Sequence, residues 1–509
     1  MKFLATRRKF LGLLASVIAS LAAPAFAQQR KSDQRGGRGG RRERPGNEYP
    51  LPSELAEFAR LSLVLGRVSD RAATVSALAQ ETTEGFFEYG VAPGDYPSKT
   101  GVAVLPAGEP VEAVFERLQP DTEYFYRFQS RRRNGAAFTA PREGRFHTQR
   151  AAGRPFVFTI QGDSHPERPQ MSHPALYART LRVAAEDRPD FHVCMGDDFS
   201  VAPVREVNAT TVGERYLLQR PFLGLVAQSA PLFLLNGNHE QASLFNFNQT
   251  DIRHQVAVLA QNARNRYFPT PRPDAFYSGD IEALPTIGLL RDYLAWTWGD
   301  ALFVVLDNYW HSPALVDSGF QETERGEGRR DRDGWSLTLG EAQYRWLQRT
   351  LAASTAKYKF VFAHHVLGTG RGGIDECDLF EWGGRSRRGD WEFAQRRPGW
   401  ELPIHPLMVK HGVTIFFQGH DHLFARQERD GVVYQEVPMP ADHGYATYNA
   451  DRYRSGVKLP NSGHLRVSVA PDGVTVDYVR TYLPQDETAQ RQSGELAHRY
   501  TVQPKKSHA

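Results

Sequence analysis

Five short apolar runs each stop at residues that can bind a metal. They close as QGDSH (Asp163, His165), MGDD (Asp197), GNHE (Asn238, His239), AHH (His364, His365) and GHDH (His420, His422). In an extended chain residues i and i+2 share a face, so His420 and His422 can offer two imidazoles to one site. The remaining donors are oxygen or nitrogen. Cys194 and Cys377 are the only thiols in 509 residues, which excludes a four-thiolate zinc site and a disulfide framework. Imidazole and carboxylate donors suit Mn, Fe or Zn. One such motif is weak evidence, but five in order, each ending an apolar run, are hard to obtain by chance.

The elements that must position these side chains follow from the pattern around them. From Arg154 onward PFVFTIQGD, DFHVCMGDD, APLFLLNGNHE, DALFVVLDN, YKFVFAHH and VTIFFQGHDH read as buried strands, with helical patterns between several of them, as at 172–187 and 340–354. In the second of these Tyr344, Leu347 and Leu351 fall on one stripe. Apolar strands alternating with helices predict an α/β domain with a covered sheet, and such sheets build sites beyond the carboxyl ends of their strands. ERDGVVYQEV and LRVSVAPDGVTVDYV read as hairpins with Asp-Gly turns at the sheet edges. Stretches 241–295 and 367–400 read as loop-rich insertions above the sheet.

Residues 55–148 alternate apolar and polar positions between turn signals, and Tyr124, Tyr126 and Phe128 share one strand face, so this segment is expected to be all-β. Ahead of it, TRRKFLGLLASVIASLAAPAFAQQ places Arg7 and Arg8 before an apolar run and a small-x-small cleavage site. This resembles a twin-arginine export signal over 1–27, which implies a periplasmic or secreted protein. The Arg/Gly-rich stretch within 28–54 is expected to be a disordered linker. The formal charge of +4 is small for this length, and its positive excess lies mostly in the first 45 residues, so no nucleic-acid partner is expected. No later segment is long and apolar enough to span a bilayer.

The ordered ligand set resembles the calcineurin-like metallophosphoesterase superfamily across 154–482. Residues 55–148, with the order Leu118, Pro120, Thr122, Tyr124, Tyr126 and a closing GRFHT, resemble a fibronectin III-like sandwich. That arrangement is similar to the one in purple acid phosphatases and PhoD-type phosphatases. The resemblance implies a four-layer αββα fold, a C-terminal tail at 483–509, and two metal ions. One would take Asp163, His165 and His422, the other Asn238, His364 and His420, with Asp197 bridging. It also implies hydrolysis of a small phosphate ester, a monoester first, by in-line attack of a metal-activated hydroxide. Asn238 would position the phosphate, and His239 would stabilise it and protonate the leaving oxygen.

The sequence departs from that pattern at Ser200. Purple acid phosphatases carry an iron-binding Tyr there, so the resemblance implies a centre without tyrosinate colour, His165 supplying the missing ligand. Some relatives carry an Asp at the same position to orient the histidine equivalent to His239; Asp198 or Glu240 is expected to substitute. His365 is expected to be a packed or substrate-side histidine. The Arg/Trp-rich loop 368–400 (Arg371, Arg385, Arg387, Arg388, Trp382, Trp391) is either a specificity element or a solvated cap, and Tyr309, Trp310 and His311 are candidates for a rim. Two alternatives stay open: a phosphodiesterase or nucleotidase with the same metals, and an exported binding protein with an inert site.

Overall fold

Phe, Ile and Val crowd strands Phe156–Gln161, Phe191–Cys194 and Leu232–Leu234 on both faces, which suits only a sheet covered on both sides. The computed structural model describes residues 51–504 except 134, 136, 141, 202–205, 242–249, 313–332 and 369; the expected leader at 1–27 and most of the linker lie outside the described residues. Those three strands run parallel in a six-stranded sheet, and Gly463–Ala470, Gly473–Arg480 and Leu496–Val502 extend it with antiparallel pairing. A second sheet of eight strands is parallel through Ala301–Val305, Tyr358–Phe362, Ile415–Gln418 and Val432–Glu436.

The two sheets pack face to face through aromatic rings. Phe158 meets Phe303 at 5.2 Å and Phe360 at 5.7 Å, while Phe233 stacks on Trp296 at 3.9 Å. Helices Pro174–Glu186 and Ala209–Ala227 bury Leu181 and Val226 with Cys194 and Leu234 on the outside of the first sheet. Helix Glu341–Ala353 turns its predicted stripe of Tyr344, Leu347 and Leu351 onto Val304 and Val361, and Ile404–Lys410 adds Leu407 beside Phe416. The result is the helix–sheet–sheet–helix layering expected from the sequence. Among the described residues no helix is long and apolar enough to cross a membrane.

Two expectations need correction. Leu496–Val502, read as part of a tail, is a strand: its alternating side chains pair with Gly473–Arg480, Arg499 Nε donates to Asp477 at 2.6 Å, and the Tyr500 hydroxyl donates to Gln435 at 3.0 Å. The stretch read as loop-rich holds helix Thr250–Tyr267, which buries Val256, Ala260, Ala263 and Tyr267 at helical spacing.

The N-terminal segment forms two small sheets, one of Leu61–Gly66, Ala72–Ala79 and Val111–Glu116, the other centred on Thr83–Gly90 and Glu123–Arg132. Phe115 lies between them, 5.5 Å from Phe87 and 5.8 Å from Tyr126, and Tyr124, Tyr126 and Phe128 all point inward. The sandwich is fastened to helix Ala209–Ala227. Arg220, 1% exposed, donates to Ser62 Oγ at 2.7 Å and to Ser76 O at 3.0 Å, and the Tyr126 hydroxyl donates to Gln228 O at 2.7 Å.

Candidate metal centre

All five strands end on the same side. Phe156–Gln161, Phe191–Cys194 and Leu232–Leu234 deliver Asp163, His165, Asp197 and Asn238 from one sheet; Tyr358–Phe362 and Ile415–Gln418 deliver His364, His420 and His422 from the other. The site therefore sits at the seam of the two sheets. Sharp turns are needed to bend side chains back over the strand ends, and His165, Asp197, His420 and His422 all adopt left-handed φ of 40°, 58°, 77° and 60°. Such positions cost about 1–3 kcal/mol each and persist only where the surroundings enforce them. The glycines beside the ligands are required by clearance. A Cβ on Gly237 would fall 2.1 Å from Asp197 Oδ1, and one on Gly419 would fall 2.6 Å from Asp163 Oδ1.

Each carboxylate is held by one oxygen and aims the other. Asp163 Oδ1 accepts the His420 N–H at 3.0 Å and Asp197 Oδ1 accepts the His239 N–H at 2.8 Å. Asp163 Oδ2 then lies 3.0 Å from His422 Nε2 and 3.7 Å from His165 Nε2. Asp197 Oδ2 lies 3.3 Å from His364 Nε2 and 3.6 Å from His165 Nε2, within reach of both halves of the cluster. Asn238 Oδ1 is 3.1 Å from His364 Nε2. The imidazoles are oriented from behind: His364 Nδ1 donates to Met195 O at 2.8 Å, and His165 Nδ1 faces Glu167 Oε1 at 3.0 Å. A carbonyl or carboxylate can only accept, so Nδ1 carries a proton in both rings and Nε2 is the nitrogen that faces inward.

These residues fit a pair of cations. Asp163, His165 and His422 form one group of donors and Asp197, His364 and His420 another, the atoms of each lying within 4.8 Å of one another. His420 Nε2 and Asn238 Nδ2 are buried without a hydrogen-bond partner, and His165 Nε2 and His422 Nε2 face each other at 3.1 Å. Two lone pairs so close are costly unless a proton or cation lies between them. The electrostatics agree. Burial would raise Asp163, but His364 and His422 hold it down at about 2, and Asp197 is likewise kept well below the carboxylate range. Burial would lower His364, yet Asp197 and Asp163 lift it to about 10. The site is an anionic well that draws positive charge.

Around this centre the structure corrects one expectation and adds residues the sequence did not single out. Neither Asp198 nor Glu240 orients His239. Ser200 Oγ itself lies 3.0 Å from His239 Nδ1. Asp198 accepts from Gln161 at 2.8 Å, while the Glu240 carboxylate gathers the N–H groups of Asp197, Asp198, Phe199 and Gly237 at 2.7–3.0 Å, tying two ligand turns together. Burial, then the charge of Asp197, pushes Glu240 up to about 7. Arg168 Nη2 lies 3.0 Å from His239 Nε2; a guanidinium only donates, so this nitrogen accepts. Glu167 and Arg168 follow His165 by two and three residues in DSHPER, which is the one signal that could have found them.

His365, expected to be packed or substrate-side, is buried. It stacks on Tyr309 at 5.6 Å, sits 4.9 Å from the His420 ring, and is driven down to about 3 by burial, His364 and Arg371. Tyr309 is buried and so is no rim residue. In the 368–400 loop Trp382 is a core anchor, donating to Tyr434 at 3.0 Å. Arg371 braces Asp421 at 3.0 Å between the two histidines of GHDH, and Trp391 is 54% exposed under Arg385. This loop is a packed cap with one exposed aromatic.

A nitrogen- and oxygen-only well able to seat two cations lies at the seam of the paired sheets, and the family match at these residues makes the chain a metal-dependent phosphoester hydrolase. Residues 156–424 match the family model for calcineurin-like phosphoesterases, and the chain belongs to that family, which uses a dinuclear metal centre. Tartrate-resistant acid phosphatase type 5 of Oryctolagus cuniculus is 24% identical over 299 residues, covering 57% of this chain and 75% of the relative. The Homo sapiens protein of the same name is 24% identical over 300 residues, covering 58% and 72%. Among solved structures, PhoD superposes with a TM-score of 0.61 at 13% identity, over 88% of this chain and 90% of the other. Purple acid phosphatase PPD1 of Lupinus luteus gives 0.53 at 15% identity, over 87% and 74%. At these identities the structural likeness is one of fold.

Proposed function

We propose that the chain is an exported phosphatase that hydrolyses small phosphomonoesters at a dinuclear centre. The observation that carries this reading is the convergence of two carboxylate Oδ2 atoms on imidazole Nε2 atoms whose Nδ1 positions are already committed. Asp163, His165 and His422 would hold one ion, Asn238, His364 and His420 the other, and Asp197 both. When bound, such ions polarise phosphoryl oxygens and acidify water, so no protein nucleophile is needed.

The protein groups handle the phosphate and the proton. Asn238 Nδ2, buried with no protein partner, is available to donate to a phosphoryl oxygen. Arg168, 18% exposed beside His239, supplies a fixed positive charge for the same group. A phosphate that draws Arg168 away would leave the His239 Nε2 lone pair free to take a proton from solvent, favoured by the charge of the bound phosphate, and to pass that proton to the leaving oxygen, with Ser200 holding Nδ1 from behind. Attack in line with that oxygen gives a single inversion at phosphorus.

The test is turnover of a chromogenic phosphate monoester and the matching diester, before and after chelation. Chelator-sensitive preference for the monoester supports the proposal. Preference for the diester moves the assignment to a phosphodiesterase. No metal-dependent turnover of either leaves the binding-protein alternative. Export is tested separately: changing Arg7 and Arg8 to Lys should retain the protein in the cytoplasm.

A further inference from the structure

The dinuclear centre is not the only place where buried carboxylates and an imidazole converge. Asp280 follows strand Ser278–Gly279, Asp292 precedes Leu294–Trp298, and His311 lies beyond Ala301–Val305; one donor atom of each falls within 4.8 Å of the others. Asp280 is 3% exposed and Asp292 is 1% exposed. Each is held as the ligand carboxylates are held. Asp280 Oδ1 accepts the Glu282 N–H at 2.8 Å and Asp292 Oδ1 accepts the Tyr293 N–H at 2.9 Å, while both Oδ2 atoms and His311 Nε2 have no hydrogen-bond partner.

Two facing carboxylates in a dry site repel unless a proton or a cation joins them. Among the described residues no Lys or Arg forms an ion pair with either one. Arg264, in the same neighbourhood, donates instead to the carbonyls of Arg291 and Leu234. Tyr293, whose ionisation is opposed by burial and by Asp280 and Asp292, borders the cluster and brings a further oxygen.

We propose that Asp280, Asp292 and His311 form a third cation site, separate from the dinuclear centre. It would take a transition-metal dication of the zinc or manganese class, because one imidazole with two or three oxygens suits such ions, whereas calcium asks for six to eight oxygens. The ion would clip the base of the hairpin Ala283–Leu284 and Gly288–Leu289 to the turn that carries Asp307 and Tyr309. That turn supports the centre, since Asp307 accepts from Asn236 at 2.9 Å and Tyr309 stacks on His365. The third ion is therefore a brace for the wall of the active site.

The experiment counts metal in the full chain. After chelation and reloading with Zn²⁺ or Mn²⁺, the wild-type chain should bind three equivalents, and Asp292→Asn and His311→Ala two each, with chelator-sensitive ester turnover retained. A second measurement guards against misfolding. With chelator present Asp292→Asn should melt above wild type, because it neutralises one of two facing charges; with Zn²⁺ present it should melt below. Equal metal counts in wild type and both variants would overturn the proposal. So would an Asp292→Asn variant that is the more stable under both conditions, which would mean the pair shares a proton.

Discussion

The N-terminal sandwich and the rim of strand ends above the paired sheets use similar residues in opposite ways. In the sandwich, aromatic side chains are innermost and charges sit outside or are neutralised where they form. Glu88, for instance, is satisfied by Lys99 at 2.8 Å and Arg127 at 2.8 Å. On the rim the charges are innermost: Asp163, Asp197 and His364 are at most 1% exposed, and the backbone around them is bent into left-handed turns. The first arrangement lowers the free energy of the folded chain, and the second keeps strained backbone and sets two imidazole nitrogens face to face at 3.1 Å, which a bound cation would relieve. A substitution in the sandwich should thus move stability and leave turnover alone, while one on the rim should abolish turnover and metal binding.

The strongest break in that contrast is Asp197→Asn. Turnover should fall to background and metal content should drop, and the chelated protein should melt below wild type, because His364 loses the carboxylate that faces it at 3.3 Å; calorimetry with elemental analysis checks both. His239→Ala should lower kcat by about 10²–10⁴ with the metals retained. In the sandwich, Phe115→Ala should cost about 3–5 kcal/mol in denaturant unfolding with kcat unchanged; a proportional loss of kcat would show that the two regions are not functionally distinct. Glu167→Gln weakens the partner behind His165 and should reduce metal affinity by roughly 10–100-fold, read by competition with a chelator.

The smallest effect is a pH dependence. Hydrogen bonds from Lys99, then Gln129, outweigh desolvation and, with Arg127, hold Glu88 at about 2 against an ordinary 4.5. A carboxylate depressed in the folded state contributes stability that is fully present above 4.5 and is lost as pH falls towards 2. Glu88→Gln should flatten unfolding free energy across that window and change nothing at pH 7 in the rate assay.

The contrast also explains what could be read from the chain alone. The residues that terminate apolar runs beside glycine and converge at the seam were legible because local geometry forces both signals: the run makes the strand, and the glycine clears the neighbouring carboxylate. The inward face of Tyr124, Tyr126 and Phe128 was legible from alternation. The partnership of Ser200 with His239 was not, since it joins turns from two strands and neither carries a spacing signal for the other. Strand Leu496–Val502 was missed because its partly exposed edge position leaves too few apolar residues to stand out. Helix Thr250–Tyr267 was missed because half of its buried stripe, Ala260 and Ala263, is alanine, which marks a face only weakly.

Arg220 has a further consequence for how this molecule can be divided. Its guanidinium is capped by Ser62 and Ser76, residues that belong to the sandwich, although it grows from a helix of the hydrolase. Excising residues 55–148 would remove the Ser62 and Ser76 acceptors, leave Arg220 with the Tyr267 carbonyl and water, and bare Phe222 and Val226, which are buried in one cluster with Val64 and Leu78. The hydrolase cut free should therefore be recovered as insoluble material, because that apolar face is left uncovered.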